Sequence, residues 1–167
     1  MTINKTFGLL LCIFSVAVAS AQHGGEAHEM EGHHCFFKER SVSIGIGLPY
    51  SFHAKAVGFN ARLYYNMGHR FCFGPEFSYF KTDELEILDV DFIAHYIFET
   101  PITGVYPLLG INYTQETSHG HSEGAPGLVF GGGLHRNFGS LTALAEYARV
   151  QSPLADHFIT MGIMYTF

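Results

Sequence analysis

"HFITMGIMYTF", residues 157–167, is the stretch whose reading decides the fold. Ile159, Met161, Ile163, Tyr165 and Phe167 take every second position, with Thr160, Gly162, Met164 and Thr166 between them. A two-residue period belongs to a β-strand, whose side chains alternate between two faces. One face is apolar up to the last residue of the sequence, where chains usually fray into polar coil. Such a face calls for an apolar surrounding along its whole length.

The same rhythm runs upstream in seven more segments separated by turn residues. They cover about 40–50, 56–66, 70–81, 87–98, 104–115, 127–136 and 140–151, and the quoted stretch is the eighth. In the first, Val42, Ile44, Ile46, Leu48 and Tyr50 share a face. In the second, Val57, Phe59, Ala61, Leu63 and Tyr65 oppose Gly58, Asn60, Arg62 and Tyr64. The segments are about ten residues long, enough for a tilted strand to cross a bilayer. Even spacing and tight turns fit an up-and-down antiparallel meander, and eight strands can close on themselves and leave no edge. The predicted fold is all-β, an eight-stranded antiparallel up-and-down transmembrane β-barrel.

Composition bears on the surroundings of that barrel. Its 167 residues make one domain, and only 14% are charged, against ~25% in soluble proteins. There are 19 glycines, 16 Phe and 9 Tyr, and no Trp. A water-exposed surface would have to be built with very little charge. The start reads as an export signal: Lys5, an apolar run over 7–18 too short to span a bilayer, and Ala19-Ser20-Ala21 before Gln22. Cleavage after Ala21 leaves a flexible His/Glu/Gly-rich leader over 22–37 and the barrel over 38–167.

Alternation alone does not say which face is inside. A soluble lipocalin-like barrel turns its apolar face inward, and an outer-membrane barrel turns it toward lipid. Small residues crowd the polar face, among them Gly45, Gly74, Gly110 and Gly131, which suits a narrow interior. Its charges are few and of both signs: Arg62, Glu76, Asp89, Asp91 and Glu146, with His95 nearby. They are placed to pair in a closed lumen, as buried charges must. The apolar face carries Tyr and Phe toward strand ends, as interfacial girdles do. The lipid-facing barrel is therefore the expectation. A soluble periplasmic or secreted barrel holding an apolar ligand is the alternative.

The signal, the eight amphipathic strands and a closing strand that ends on Phe167 resemble the small OmpA/OmpX-type outer-membrane β-barrels of Gram-negative bacteria. The resemblance spans about 38–167 and is one of architecture. It implies location in the bacterial outer membrane, with both termini in the periplasm and outer-membrane lipid and the barrel-assembly machinery as partners. Tyr165 and Phe167 match the C-terminal aromatic pattern that machinery recognises. Loops 51–55, 82–86, 116–126 and 151–156 then face outward, and turns near 66–69, 99–103 and 136–140 face the periplasm.

Histidine is the sharpest local signal. "HGGEAHEMEGHH" carries His23, His28, His33 and His34 among glutamates, and "SHGHSEG" carries His119 and His121 beside Glu123. Imidazole with carboxylate suits Zn²⁺, Cu²⁺ or Ni²⁺, so these are two candidate divalent-metal sites, and no cofactor is required. The barrel would hold them roughly 25 Å of apolar band apart, so they form separate sites. His53 and His157 near the outer rim could join His119 and His121 if their loops converge. Cys35 and Cys72 both fall near the periplasmic rim in an oxidising compartment, and a disulfide between them is expected. Catalysis is not expected: His121, Ser122 and Glu123 are adjacent on the chain and point apart, and no GxSxG context is present. An eight-stranded barrel is filled by its own side chains, which disfavours a pore. With Lys5 removed, 15 acids face 8 bases, which argues against nucleic acid as a partner. The expected function is a small non-enzymatic outer-membrane barrel with a plugged polar lumen. It would act through its loops and His-rich leader at the envelope surface or in metal capture.

Overall fold

The computed structural model describes residues 37–100 and 103–167. The signal, His23, His28, His33, His34 and Cys35 lie outside the described residues. Eight strands form one sheet. They are β1 (Ser41–Ser51), β2 (Ala56–Val57 and Phe59–Asn66), β3 (Phe71–Lys81), β4 (Leu85–Tyr96, continued by Phe98–Glu99), β5 (Gly104–Ser118), β6 (His121–Phe138), β7 (Leu141–Gln151) and β8 (Asp156–Thr166). Each pairs antiparallel with its sequence neighbours, and β8 returns to β1 in a register running from Ser43↔Thr166 to Ser51↔Phe158. The barrel is closed, and Phe167 N–H donates to the Val42 carbonyl at 3.0 Å just past that seam.

The apolar rows point outward. Ile46 is 51% exposed, whereas Ser43 on the opposite face is 0% exposed. All eight strands contribute large exposed apolar side chains, from Leu63 and Phe77 to Leu109, Leu128, Tyr147 and Ile163. A continuous belt of this kind far exceeds the apolar patches that soluble monomers expose, and it matches hydrocarbon. The inward-apolar arrangement of a soluble ligand-binding barrel is not the one observed. Tyr165 and Phe167 lie on the outer surface with their rings 5.0 Å apart, edge to face.

Inside, the filling is mixed. Toward the end that holds Phe37 and Phe167, the residues Phe37, Tyr64, Cys72, Ile97, Tyr106, Leu144 and Met164 form one apolar cluster. Toward the far end, Phe80, Ile87, Ile93, Leu108, Val129, Val150 and Phe158 form another. The charged residues are interleaved with them: along β4 the inward order is Ile87, Asp89, Asp91, Ile93, His95. Polar side chains are buried toward both ends as well, Ser43, Asn66 and Thr142 at one and Ser51 and Asp156 at the other, so the interior mixes polar groups with two apolar clusters. Within the second cluster Phe80 stacks on Phe158 with ring centroids 5.3 Å apart. Glycine makes room where strands crowd. A Cβ on Gly74 would stand 1.9 Å from the Leu63 carbonyl oxygen, and one on Gly131 would stand 2.0 Å from that of Tyr147.

One expected loop is replaced by strand. Residues 116–126 do not form a long polar loop. The β5–β6 ladder continues through Thr117↔Ser122 to Ser118↔His121 and turns on His119 and Gly120 alone. Both have positive φ, 50° and 80°, as a two-residue hairpin turn requires. The polar composition that suggested a loop marks the end of a hairpin, where residues 119–124 are exposed.

Candidate functional site

Two places carry chemistry: the belt in the lumen and the rim with its hairpin. The belt is built from inward rows of β2, β3, β4, β5 and β7. Arg62 on β2 is its centre. Its Nη1 donates to Glu146 Oε2 at 2.7 Å, its Nε donates to Asn60 Oδ1 at 2.8 Å, and its Nη2 lies 3.4 Å from Glu76 Oε2. Both carboxylates have further donors. Tyr106 donates its hydroxyl to Glu146 Oε1 at 2.7 Å, Tyr64 donates to Glu76, and the Asn60 amide donates to Glu76 Oε2 at 3.0 Å. Above them the Asn112 amide bridges Asp91 at 2.6 Å and Asp89 at 3.3 Å, and Thr114 also donates to Asp89. All six residues expected to form the lumen network, Arg62, Glu76, Asp89, Asp91, His95 and Glu146, are buried. Charge-assisted hydrogen bonds of this kind offset the cost of burying the ions.

His95 completes the layer. Its ring centroid is 4.8 Å from that of Tyr64 and 4.8 Å from that of Tyr106, the tyrosines that hold the two glutamates. Its Nδ1 lies 3.5 Å from Cys72 Sγ, while its Nε2 is buried without a hydrogen-bond partner. Cys72 is buried as a free thiol, and the pairing expected with Cys35 lies outside the described residues. Sequence reasoning missed Asn60, Tyr64, Tyr106, Asn112 and Thr114 as network members. They sit on the same alternate inward positions as the charges, and that periodicity was the signal available.

At the far rim, Asp156 accepts hydrogen bonds from Ser51 Oγ and from the backbone N–H groups of His53 (2.9 Å) and His157 (2.6 Å). His53 Nε2 lies 3.3 Å from Glu116 Oε1. A hollow of about 280 Å³ is lined by His53, Arg149, Ala155, Asp156 and His157. His53 and His157 therefore share one place, and His119 and His121 do not line it. Those two sit at the hairpin tip, where the Ser118 hydroxyl meets His119 Nδ1 at 2.9 Å. Among the described residues, the three-donor grouping of His, Cys, Asp or Glu is Glu76, His95 and Glu146, which leaves out the expected loop histidines.

The hairpin itself is asymmetric. β5 is paired by β4 as far as Leu85↔Ser118, but β6 is paired by β7 only from Leu128↔Gln151. Residues His121–Gly127 are thus laddered to β5 on one side and have no strand on the other. That is an open sheet edge, broken by Gly124, Pro126 and Gly127 and carrying Glu123.

No protein-family model matches the chain, and no curated protein does. Solved structures do. The N-terminal β-barrel domain of Pseudomonas aeruginosa OprF superposes with a TM-score of 0.67 at 16% identity, covering 77% of this chain and 98% of that one. Neisserial surface protein A gives 0.58 at 14%, with 76% and 96% covered. Ail, the attachment invasion locus protein of Yersinia pestis, gives 0.52 at 20%, with 78% and 100% covered. At such identities the shared property is the fold.

Proposed function

From the premise that this chain has the fold of the small OmpA/OmpX-type outer-membrane β-barrels, we propose that it is a non-enzymatic outer-membrane protein that presents the β5–β6 hairpin as an interaction surface outside the cell. The observation that carries this reading is the reach of β6 beyond β7, with the outer edge of His121–Gly127 unpaired by a strand. An open edge offers main-chain donors and acceptors to an extended partner segment. The lumen supports the same reading, because two apolar clusters and a hydrogen-bonded charge network occupy it, as in a barrel filled by its own side chains. The chain termini and the turns at 67–70, 100–103 and 139–140 then face the periplasm. The leader's His23, His28, His33 and His34 would sit there as a divalent-metal capture segment. Tyr165 and Phe167 would serve the assembly machinery.

The decisive experiment uses cells expressing the full chain. A Glu123→Cys variant should react with a membrane-impermeant maleimide on intact cells, and the protein should fractionate with the outer membrane and migrate heat-modifiably on a denaturing gel. Shortening the hairpin by joining Gln115 to Gly124 through a two-residue Asn-Gly turn should leave barrel yield unchanged. It should abolish the attachment or autoaggregation that the full chain confers. A water-soluble monomer without detergent, an unlabelled Glu123→Cys, or equal attachment by the shortened variant would defeat the proposal. For the leader, a variant lacking 22–35 should bind less Zn²⁺ in calorimetry than the full chain, and equal stoichiometry would exclude that role.

A further inference from the structure

We infer that Glu76, His95 and Glu146 form a divalent-metal site sealed inside the lumen, separate from the histidines of the leader and the hairpin. One donor atom from each of the three lies within 4.8 Å of the others. Zn–N and Zn–O bonds of ~2.0–2.2 Å place neighbouring donors ~3.4 Å apart in a tetrahedral shell, so closure needs about an ångström of side-chain movement. His95 supplies the observation that points to a ligand. Its ring is 4% exposed, yet Nε2 has no hydrogen-bond partner. A neutral imidazole nitrogen left unpaired in a buried site is costly, and a lone pair there is what a metal takes.

The surroundings have the form of a second ligand shell. A metal-bound histidine ordinarily donates its other ring N–H to an acceptor that fixes its orientation. Here Nδ1 faces Cys72 Sγ at 3.5 Å, a weak sulfur acceptor, and the ring is clamped between Tyr64 and Tyr106. Those tyrosines donate to the two carboxylates, as orienting partners of metal ligands do. Charge balance points the same way. Glu76, Asp89, Asp91 and Glu146 are buried together with Arg62 as the belt's guanidinium. Four carboxyl groups exceed what one guanidinium can pair, so the belt has acid oxygens to offer a divalent ion. One imidazole with two carboxylates suits a first-row ion such as Zn²⁺, Co²⁺ or Mn²⁺. Because all three donor residues are buried inside a closed barrel, the ion enters while the barrel forms and leaves slowly afterwards.

The test refolds the full chain into detergent with or without Zn²⁺, strips it with EDTA, and counts the retained metal by mass spectrometry. Ions on the exposed loop histidines and on the leader are lost to the chelator. About one equivalent should stay when Zn²⁺ is present during refolding, and none when it is added to the folded barrel. The retained ion should vanish in His95→Gln and persist in the His119→Ala/His121→Ala double variant. No retained ion in the wild type, or full retention in His95→Gln, overturns the site. If His95→Gln does not fold, X-ray absorption of the wild-type ion decides. One imidazole among oxygen neighbours supports the assignment, and two or more imidazoles overturn it.

Discussion

Replacing Arg62 by Met tests the belt most directly, since Met fills much of the same volume and carries no charge. The guanidinium's side chain is fully buried, and it contacts Glu146 at 2.7 Å and Glu76 at 3.4 Å. Those carboxylates are 7% and 6% exposed, so water cannot replace the lost partner. Removing one member of a buried ionic set costs about 3–5 kcal/mol, most of it from the charge left behind. That raises the unfolding constant roughly two to three and a half orders of magnitude. It is a large share of the ~5–15 kcal/mol that holds a domain together. The chain has no Trp, so unfolding in urea is followed by the gel shift between folded and unfolded bands. The triple variant Arg62→Met/Glu76→Gln/Glu146→Gln removes the stranded charges and should recover most of the loss. If Arg62→Met unfolds at the wild-type urea concentration, or if the triple variant is no more stable than the single one, the belt is not held by this ion set.

Three further outcomes follow from the geometry. Ile111 is 64% exposed on the outer face of β5, so Ile111→Arg should cost about 2–4 kcal/mol in a bilayer if that face meets lipid; an unchanged urea midpoint in vesicles would mean it meets water. Gly131→Ala puts a methyl 2.0 Å from the Tyr147 carbonyl oxygen, whereas the nearest atom to the same methyl on Gly68 is 3.9 Å away. The first should lose about 1–3 kcal/mol to overpacking and the second almost nothing, and equal gel-shift midpoints for the two would refute the crowding. Deleting Phe167 removes an exposed ring and the N–H bonded to Val42; assembly in cells should fall more than urea stability does, and normal assembly levels would remove Phe167 from the targeting role.

The amino-acid sequence determined the strand number, their approximate limits, and which rows share a face. Those properties follow from a local period, and apolar rows on all eight segments with so little charge already pointed to lipid outside. The Arg62 row and the Glu146 row were both recognisable as inward for the same reason. Their direct bond was not, because it joins residues 84 positions apart, and only closure and register of the barrel decide which inward side chains meet. The tertiary structure also decided how the lumen is filled. Phe80, Phe158 and Leu144 stand on inward positions among polar neighbours, and alternation gives no sign that they gather into two apolar clusters. It decided the hairpin as well. Composition made residues 116–126 look like a loop, since a strand wet on both faces has no apolar row to announce it. The ladder that carries β6 past β7 is visible only in the pairing. His95 was assigned to the network from its row, but its orphaned nitrogen between two tyrosines arises from three strands brought together in space.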